Sequence, residues 1–122
     1  VALDDEDYEV IATAAHALAT IGPAAEDALP TLRELLPDKD NSVAVWLARA
    51  LWKIDQDTDT AVPAFVKALK DDDARVRLLA AEFLAEIGPL AETAIEPLTR
   101  ALDDDDEEVS RAAARALARI DR

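Results

Sequence analysis

Apolar residues recur along this chain with a step of 33. Val10, Val43, Val76 and Val109 keep it, as do Leu18, Leu51, Leu84 and Leu117. Ile21, Ile54, Ile87 and Ile120 follow suit, and so do Leu3, Leu36, Leu69 and Leu102. Registers that hold over the full length mean an internal repeat, and a repeat of this period predicts stacked helix pairs rather than one closed core. Counting each valine as position 0, apolar or small residues fall at +4, +5, +8 and +11, as in Val76, Ala80, Ala81, Leu84 and Ile87. At 100° per residue these line one stripe of an inner helix. A shorter outer helix precedes it, with stripes Leu29, Leu32, Leu36, then Val62, Phe65, Leu69, then Ile95, Leu98, Leu102.

Polar residues and breakers punctuate the same period. Asp7, Asp40, Asp73 and Asp106 stand where each inner helix starts, suited to accept an orphan amide and to meet the positive end of the helix dipole. Gly22 and Gly88 close two inner helices, with Asp55 and Asp121 in that place in the other copies. Pro23 and Pro89 suit a first helical position. Pro30, Pro63 and Pro97 fall inside the outer helices and predict a bend there, and Pro37 predicts a sharp stop. The expected fold is all-α: a right-handed α-solenoid of antiparallel helix pairs with about seven helices. It forms a single domain over 1–122, with a leading half repeat 1–21 and repeats 22–54, 55–87 and 88–122. Val1-Ala2-Leu3-Asp4-Asp5 matches the interior helix ends at 67–71 and 100–104, which suggests a segment of a longer array.

The stretch from Asp71 to Pro89, with its Asp…Val-Arg…Ala-Ala…Leu…Ile-Gly-Pro order, resembles the second helix of a HEAT repeat. The form is the short HEAT-like one found in phycobilisome lyase subunits. The resemblance covers the whole chain and implies a scaffold or binding module. The family's Val-Arg pair survives only as Val76-Arg77; Ile11, Ala44 and Ser110 hold the arginine place elsewhere. Ankyrin repeats would need a Thr-Pro-Leu-His motif and more glycine, and neither Trp46 nor Trp52 sits in a tetratricopeptide pattern.

Charge narrows the partners. The chain carries 27 acidic against 13 Lys and Arg, for a formal charge of -14. Phosphate binding relies on clustered cations, so nucleic acid and anionic membrane surfaces are disfavoured. No run approaches the about 20 apolar residues of a membrane span, and no secretory signal is visible. The compartment stays open, with the cytoplasm favoured, and the oligomeric state is undetermined. Acidic clusters mark the outer–inner turns: Asp4 to Asp7, Asp38 and Asp40, Asp71 to Asp73, and Asp103 to Glu108. They read as caps and solvated loops, or as an edge for a basic partner. Asp103 to Asp106 lacks the glycine and closing glutamate of a calcium loop.

Catalytic chemistry is nearly excluded by inventory. There is one histidine, His16, no cysteine, and two serines, Ser42 and Ser110, both in other repeats than His16. No cofactor or metal site is expected. Binding on the concave face is the better expectation. There, positions +2, +6 and +9 point away from the core: Ala12, His16, Ala19; Val45, Arg49, Trp52; Leu78, Glu82, Ala85; Arg111, Arg115, Ala118. The expected partner-binding residues are Val45, Arg49, Trp52, Leu78, Glu82, Arg111 and Arg115, with Trp52 as anchor. Trp52 buried by inter-repeat packing is the competing reading, and Trp46 at +3 is expected on the core side. Arg111, Arg115, Arg119 and Arg122 form a further stripe, either a grip for an anionic partner or a polar cap. The function expected is a non-catalytic scaffold for a protein or peptide. The alternatives are a lyase-type accessory subunit holding a chromophore or small ligand, and a purely structural or designed array.

Overall fold

The computed structural model describes residues 8–36 and 40–121. Leu3, the Val1–Asp5 match, Asp7, Pro37, Asp38 and Arg122 lie outside the described residues. Within them every regular element is a helix: α1 (Tyr8–Ile21), α2 (Leu29–Leu35), α3 (Asn41–Asp55), α4 (Thr58–Ala68), α5 (Ala74–Ile87), α6 (Ile95–Ala101) and α7 (Glu107–Ile120). These are not seven comparable helices. Five of them, α1, α3, α4, α5 and α7, run 11 residues or more, whereas α2 and α6 have only 7. In those two repeats the outer element starts as a 3-10 segment, Gly22–Ala28 or Gly88–Ala94, that breaks at Ala25 (φ -91, ψ 18) or Ala91 (φ -95, ψ 27).

The prolines explain that division. Pro30 and Pro97 stand in the first turn of α2 and α6 rather than in a helix interior, where the missing N–H has no intrahelical acceptor to lose. The bend expected at them lies upstream, in the 3-10 segment. The Pro30 ring would crowd the Glu26 carbonyl four residues back, and that carbonyl instead accepts the Leu29 amide in the tighter turn. Only Pro63 sits within a continuous outer helix, α4.

Caps follow the repeat with three departures. Asp73 accepts from the Arg75 amide at 2.8 Å, and Asp106 from the Glu108 and Val109 amides at 2.9 and 3.2 Å. Asp40 holds the same extended N-cap position, but its side chain makes no cap bond; its carbonyl takes the Val43 and Ala44 amides. At the other ends, Gly22 and Gly88 have φ 74 and 75. Asp55 does not substitute for them: α3 runs one residue further, through Asp55, and Gln56 takes the left-handed conformation (φ 53, ψ 38). Asp121 stays at negative φ (-91).

The chain divides into two compact units, Val1–Ala61 and Val62–Arg122. In the first, α1, the outer segment and α3 share a core of Ile11, Ala15, Ala19, Ala25, Leu32, Val43, Leu47, Ala50, Leu51 and Ile54. Arg33 of α2 ties this unit's outer helix to the end of α3, donating to Asp55 at 2.6 Å and to Asp57 at 3.3 Å. In the second unit α5 packs on α7, and α6 covers α7. Phe65 of α4 meets Phe83 of α5 with ring centroids 5.7 Å apart. The register valines, leucines and isoleucines of α3, α5 and α7 are buried or half-buried. Those of α1 differ: Val10 and Ile21 are 37% and 58% exposed. The buried stripe of α1 is instead Ile11, Ala15 and Ala19, the side turned to α3.

Candidate interaction surface

In the first unit the solvent face of the inner helices is narrower than the periodicity predicts. Helix α3 buries Val43, Ala44, Val45, Leu47, Ala48, Ala50, Leu51 and Ile54, most of its circumference, as a helix apolar nearly all round does. Val45 is therefore core, fully buried, and not part of a binding surface. The side chains left half-exposed are Trp46, Arg49, Trp52 and Lys53, at +3, +6, +9 and +10. Trp46, expected on the core side, packs against the core of this unit. Its ring and that of Trp52 are half-buried, and both indole nitrogens are shielded from solvent.

These groups are ordered by their neighbours. Arg49 Nη1 lies 3.3 Å from His16 Nδ1, which can accept its hydrogen bond. His16 and Arg49 are 33 residues apart, both at +6, so successive inner helices bring the same register position together. The His16 ring also meets Trp46 edge to face at 5.8 Å. Lys53 Nζ lies 5.2 Å from the Trp52 ring centre, within cation–π range. The Trp52 indole N–H has no hydrogen-bond acceptor among the described residues, an unmet demand that folded proteins seldom leave. The His16–Trp46–Arg49 contact escaped the helical-wheel reading. The 33-residue spacing of His16 and Arg49 was the signal for it.

The second unit presents a different surface. Glu82 of α5 and Arg115 of α7, again at +6, line a shallow groove of about 320 Å³ with Ala85, Glu86, Ala112 and Arg119. Glu82, Arg115 and Arg119 are all exposed. Leu78 is half-buried and stands outside this lining, as does Arg111, which pairs with Glu107 one turn back on α7. Arg119, read earlier only as part of a stripe, belongs to the groove.

The acidic turns serve the fold. Arg77, the family-type arginine, reaches from α5 to Asp104 with two bonds, Nε at 2.8 Å and Nη2 at 3.1 Å. Its Nη1 donates to the Asp71 and Asp72 carbonyls at 2.8 and 3.1 Å. Burial alone would push the Asp104 carboxyl up. Its hydrogen bonds from Arg77 and the Asp106 amide, with the guanidinium charge, outweigh that and hold it below the ordinary aspartate range. In the next repeat Ser110 takes the arginine's place, and its hydroxyl donates to the Leu102 carbonyl at 2.9 Å. Among the described residues no group of three or more His, Asp or Glu side chains is arranged to hold a metal ion. No helix there is long and apolar enough to cross a membrane.

Comparison with known proteins agrees with this architecture. The family described as HEAT repeats matches residues 1–52 and 35–118. Among solved structures, the crystal structure of an engineered protein is similar, at 32% sequence identity and a TM-score of 0.67. That match covers 98% of this chain and 59% of the engineered one, so the chain spans less than two thirds of that protein's length. No curated protein matches the chain. Because the matched segments run through both compact units, the chain belongs, over nearly its whole length, to the HEAT repeat family.

Proposed function

We propose that this chain is a non-catalytic scaffold that binds a protein or peptide along the solvent face of its inner helices. On this reading residues 1–122 act as one repeat domain, with the right-handed stacking the family resemblance implies. One observation carries the proposal: Trp52 presents a half-exposed ring on that face while its indole N–H has no acceptor among the described residues. Tryptophan supplies large rigid contact area, and a partner carbonyl would satisfy the N–H after a small ring movement. Arg49, His16 and Trp46 flank it as an ordered polar and aromatic rim. In the second unit, exposed Arg115 and Arg119 beside Glu82 suit a peptide that carries an acidic side chain.

Cross-linking mass spectrometry after affinity capture tests this. Partners held by the wild type are expected to cross-link near Lys53 and to be lost with Trp52→Ala, or weakened with Arg115→Ser/Arg119→Ser. Equal capture by all three proteins rejects the proposal. A second reading, an array built for structure alone, draws support from the engineered protein it resembles. It predicts alike residues at equivalent exposed positions. The +6 positions hold His16, Arg49, Glu82 and Arg115, which favours recognition.

A further inference from the structure

In this acid-rich chain most arginines already hold a carboxylate. Arg33, Arg75, Arg77, Arg100 and Arg111 each do so. Arg115 and Arg119 do not: neither has an ion pair or hydrogen bond among the described residues. The two stand one turn apart on α7, both exposed, along one wall of the groove of about 320 Å³. The opposite wall is acidic, formed by Glu82 and Glu86 of α5, also one turn apart. Glu82 and Arg115 share position +6, and Glu86 and Arg119 share +10, so opposite charges face each other level by level. Even so, no ion pair joins Glu82 to either arginine.

The floor between the two walls is Ala85 and Ala112, whose side chains are too short to bridge them. A further space of about 370 Å³, sharing Ala85, Glu86 and Arg119, continues the groove towards the turn at Gly88 and Pro89. Both walls belong to helices already packed on each other, so further repeats stacked on this unit do not fill the groove.

The spacing names the occupant. Four residues of α-helix rise about 6 Å, which separates the two levels of the groove. In an extended chain, residues i and i+2 point the same way about 6.6 Å apart, and residue i+1 points the opposite way. An extended peptide lying on the alanine floor therefore sends i and i+2 to Arg115 and Arg119, and i+1 to the wall of Glu82. We infer that this groove holds an extended partner segment of acid–base–acid order: Asp or Glu, then Lys or Arg, then Asp or Glu. Its two carboxylates accept from the guanidiniums, and its cation meets Glu82. This rests on the reading that the inner-helix face binds a peptide, and adds the order of charges that the peptide carries.

The probe is a capped, fluorescein-labelled peptide, Gly-Thr-Glu-Lys-Glu-Thr-Gly, compared by fluorescence anisotropy with Gly-Thr-Lys-Glu-Glu-Thr-Gly. The two have the same composition and net charge, but the second sends its acids to opposite walls. The whole chain is expected to bind the first about fivefold more tightly. Arg115→Ser/Arg119→Ser should weaken that binding about tenfold or more. Reversing the walls with Glu82→Lys/Arg115→Glu/Arg119→Glu should exchange the preference, so that a Lys-Glu-Lys peptide is taken over the Glu-Lys-Glu one. All three side chains are exposed, so circular dichroism of both variants should match wild type. No binding by the wild type, equal affinity for the two isomers, or no exchange in the reversed variant overturns the assignment. So does binding undiminished in Arg115→Ser/Arg119→Ser. Trp52→Ala should leave the peptide's affinity unchanged. Partners captured through Trp52, with no preference between the two peptides, would leave the scaffold reading standing and remove this inference alone.

Discussion

At the scale of single residues, Arg77 contributes more than any surface charge. Its side chain and that of Asp104 are 17% and 11% exposed, and it satisfies two loop carbonyls besides the carboxylate. Arg77→Ala strands all three acceptors, and we expect a loss of about 2–3 kcal/mol in urea denaturation. Arg100→Ala removes an exposed pair with Glu96 one turn back and should cost about 0.5 kcal/mol or less. The Arg77–Asp104 pair sets an acid limit. Asp104 is held below its unfolded pKa, so its contribution is present above about pH 3.9 and is lost as pH falls through the folded value. Unfolding followed from pH 5 to pH 2 should therefore steepen below about pH 4 in the wild type, and less so in Arg77→Ala. Equal slopes would remove Arg77 as the cause. The motif Val76-Arg77 was legible as a family feature. Its partner was not, because Asp104 is 27 residues away and one of several adjacent aspartates.

At the scale of elements, the ends of the inner helices use two different turns. Gly88 sits at φ 75, ψ -143, a region almost closed to residues with a Cβ, whereas Gln56 sits in the ordinary left-handed region at φ 53, ψ 38. Nothing lies within 4 Å of a Cβ built on Gly88, so Gly88→Ala should fail through backbone strain alone. We expect it to cost about 1–3 kcal/mol, and Gln56→Gly to gain about 0.5–1 kcal/mol. Chemical denaturation of the two variants checks both signs. Equal and small effects would show that the turns are interchangeable. Apolar periodicity revealed which segments are helices and the inner and outer alternation, because it records burial directly. It did not reveal the 3-10 starts after Gly22 and Gly88, which depend on backbone geometry around Pro30 and Pro97 rather than on side-chain pattern. Nor did it show that Val45 is buried. The wheel sets Val45 opposite the stripe and Trp46 at its edge, and only the neighbouring helices bury Val45 as well.

At the scale of the molecule, the repeat made the family readable from one sequence, while the candidate surface was readable only in part. Arg49, Trp52, Glu82 and Arg115 lie on solvent-facing sectors of their helices; Val45 does not, and His16 and Arg119 gain their place from packing. Charge acts on the whole chain at once. Twenty-seven acidic residues against 13 basic leave -14, much of it in the turns at Asp71 to Asp73 and Asp103 to Glu108. Salt has two opposed effects here. It weakens the exposed pairs Arg100–Glu96, Arg111–Glu107 and Arg75–Asp73, which contribute little to begin with. It also screens repulsion among neighbouring carboxylates, over a Debye length that shrinks from about 30 Å at 0.01 M to a few Å near 0.5 M. Repulsion involves many more charges than the pairs do, so screening should win. The thermal midpoint is expected to rise by about 4 °C between ~0.01 M and ~0.5 M NaCl, the shift that roughly 1 kcal/mol produces in a domain of this size. Asp72 and Asp103 are exposed. Asp72→Asn/Asp103→Asn should raise the low-salt midpoint and flatten the salt dependence. A midpoint that falls with salt would mean that the ion pairs, and not the crowded turns, dominate the electrostatics of this fold.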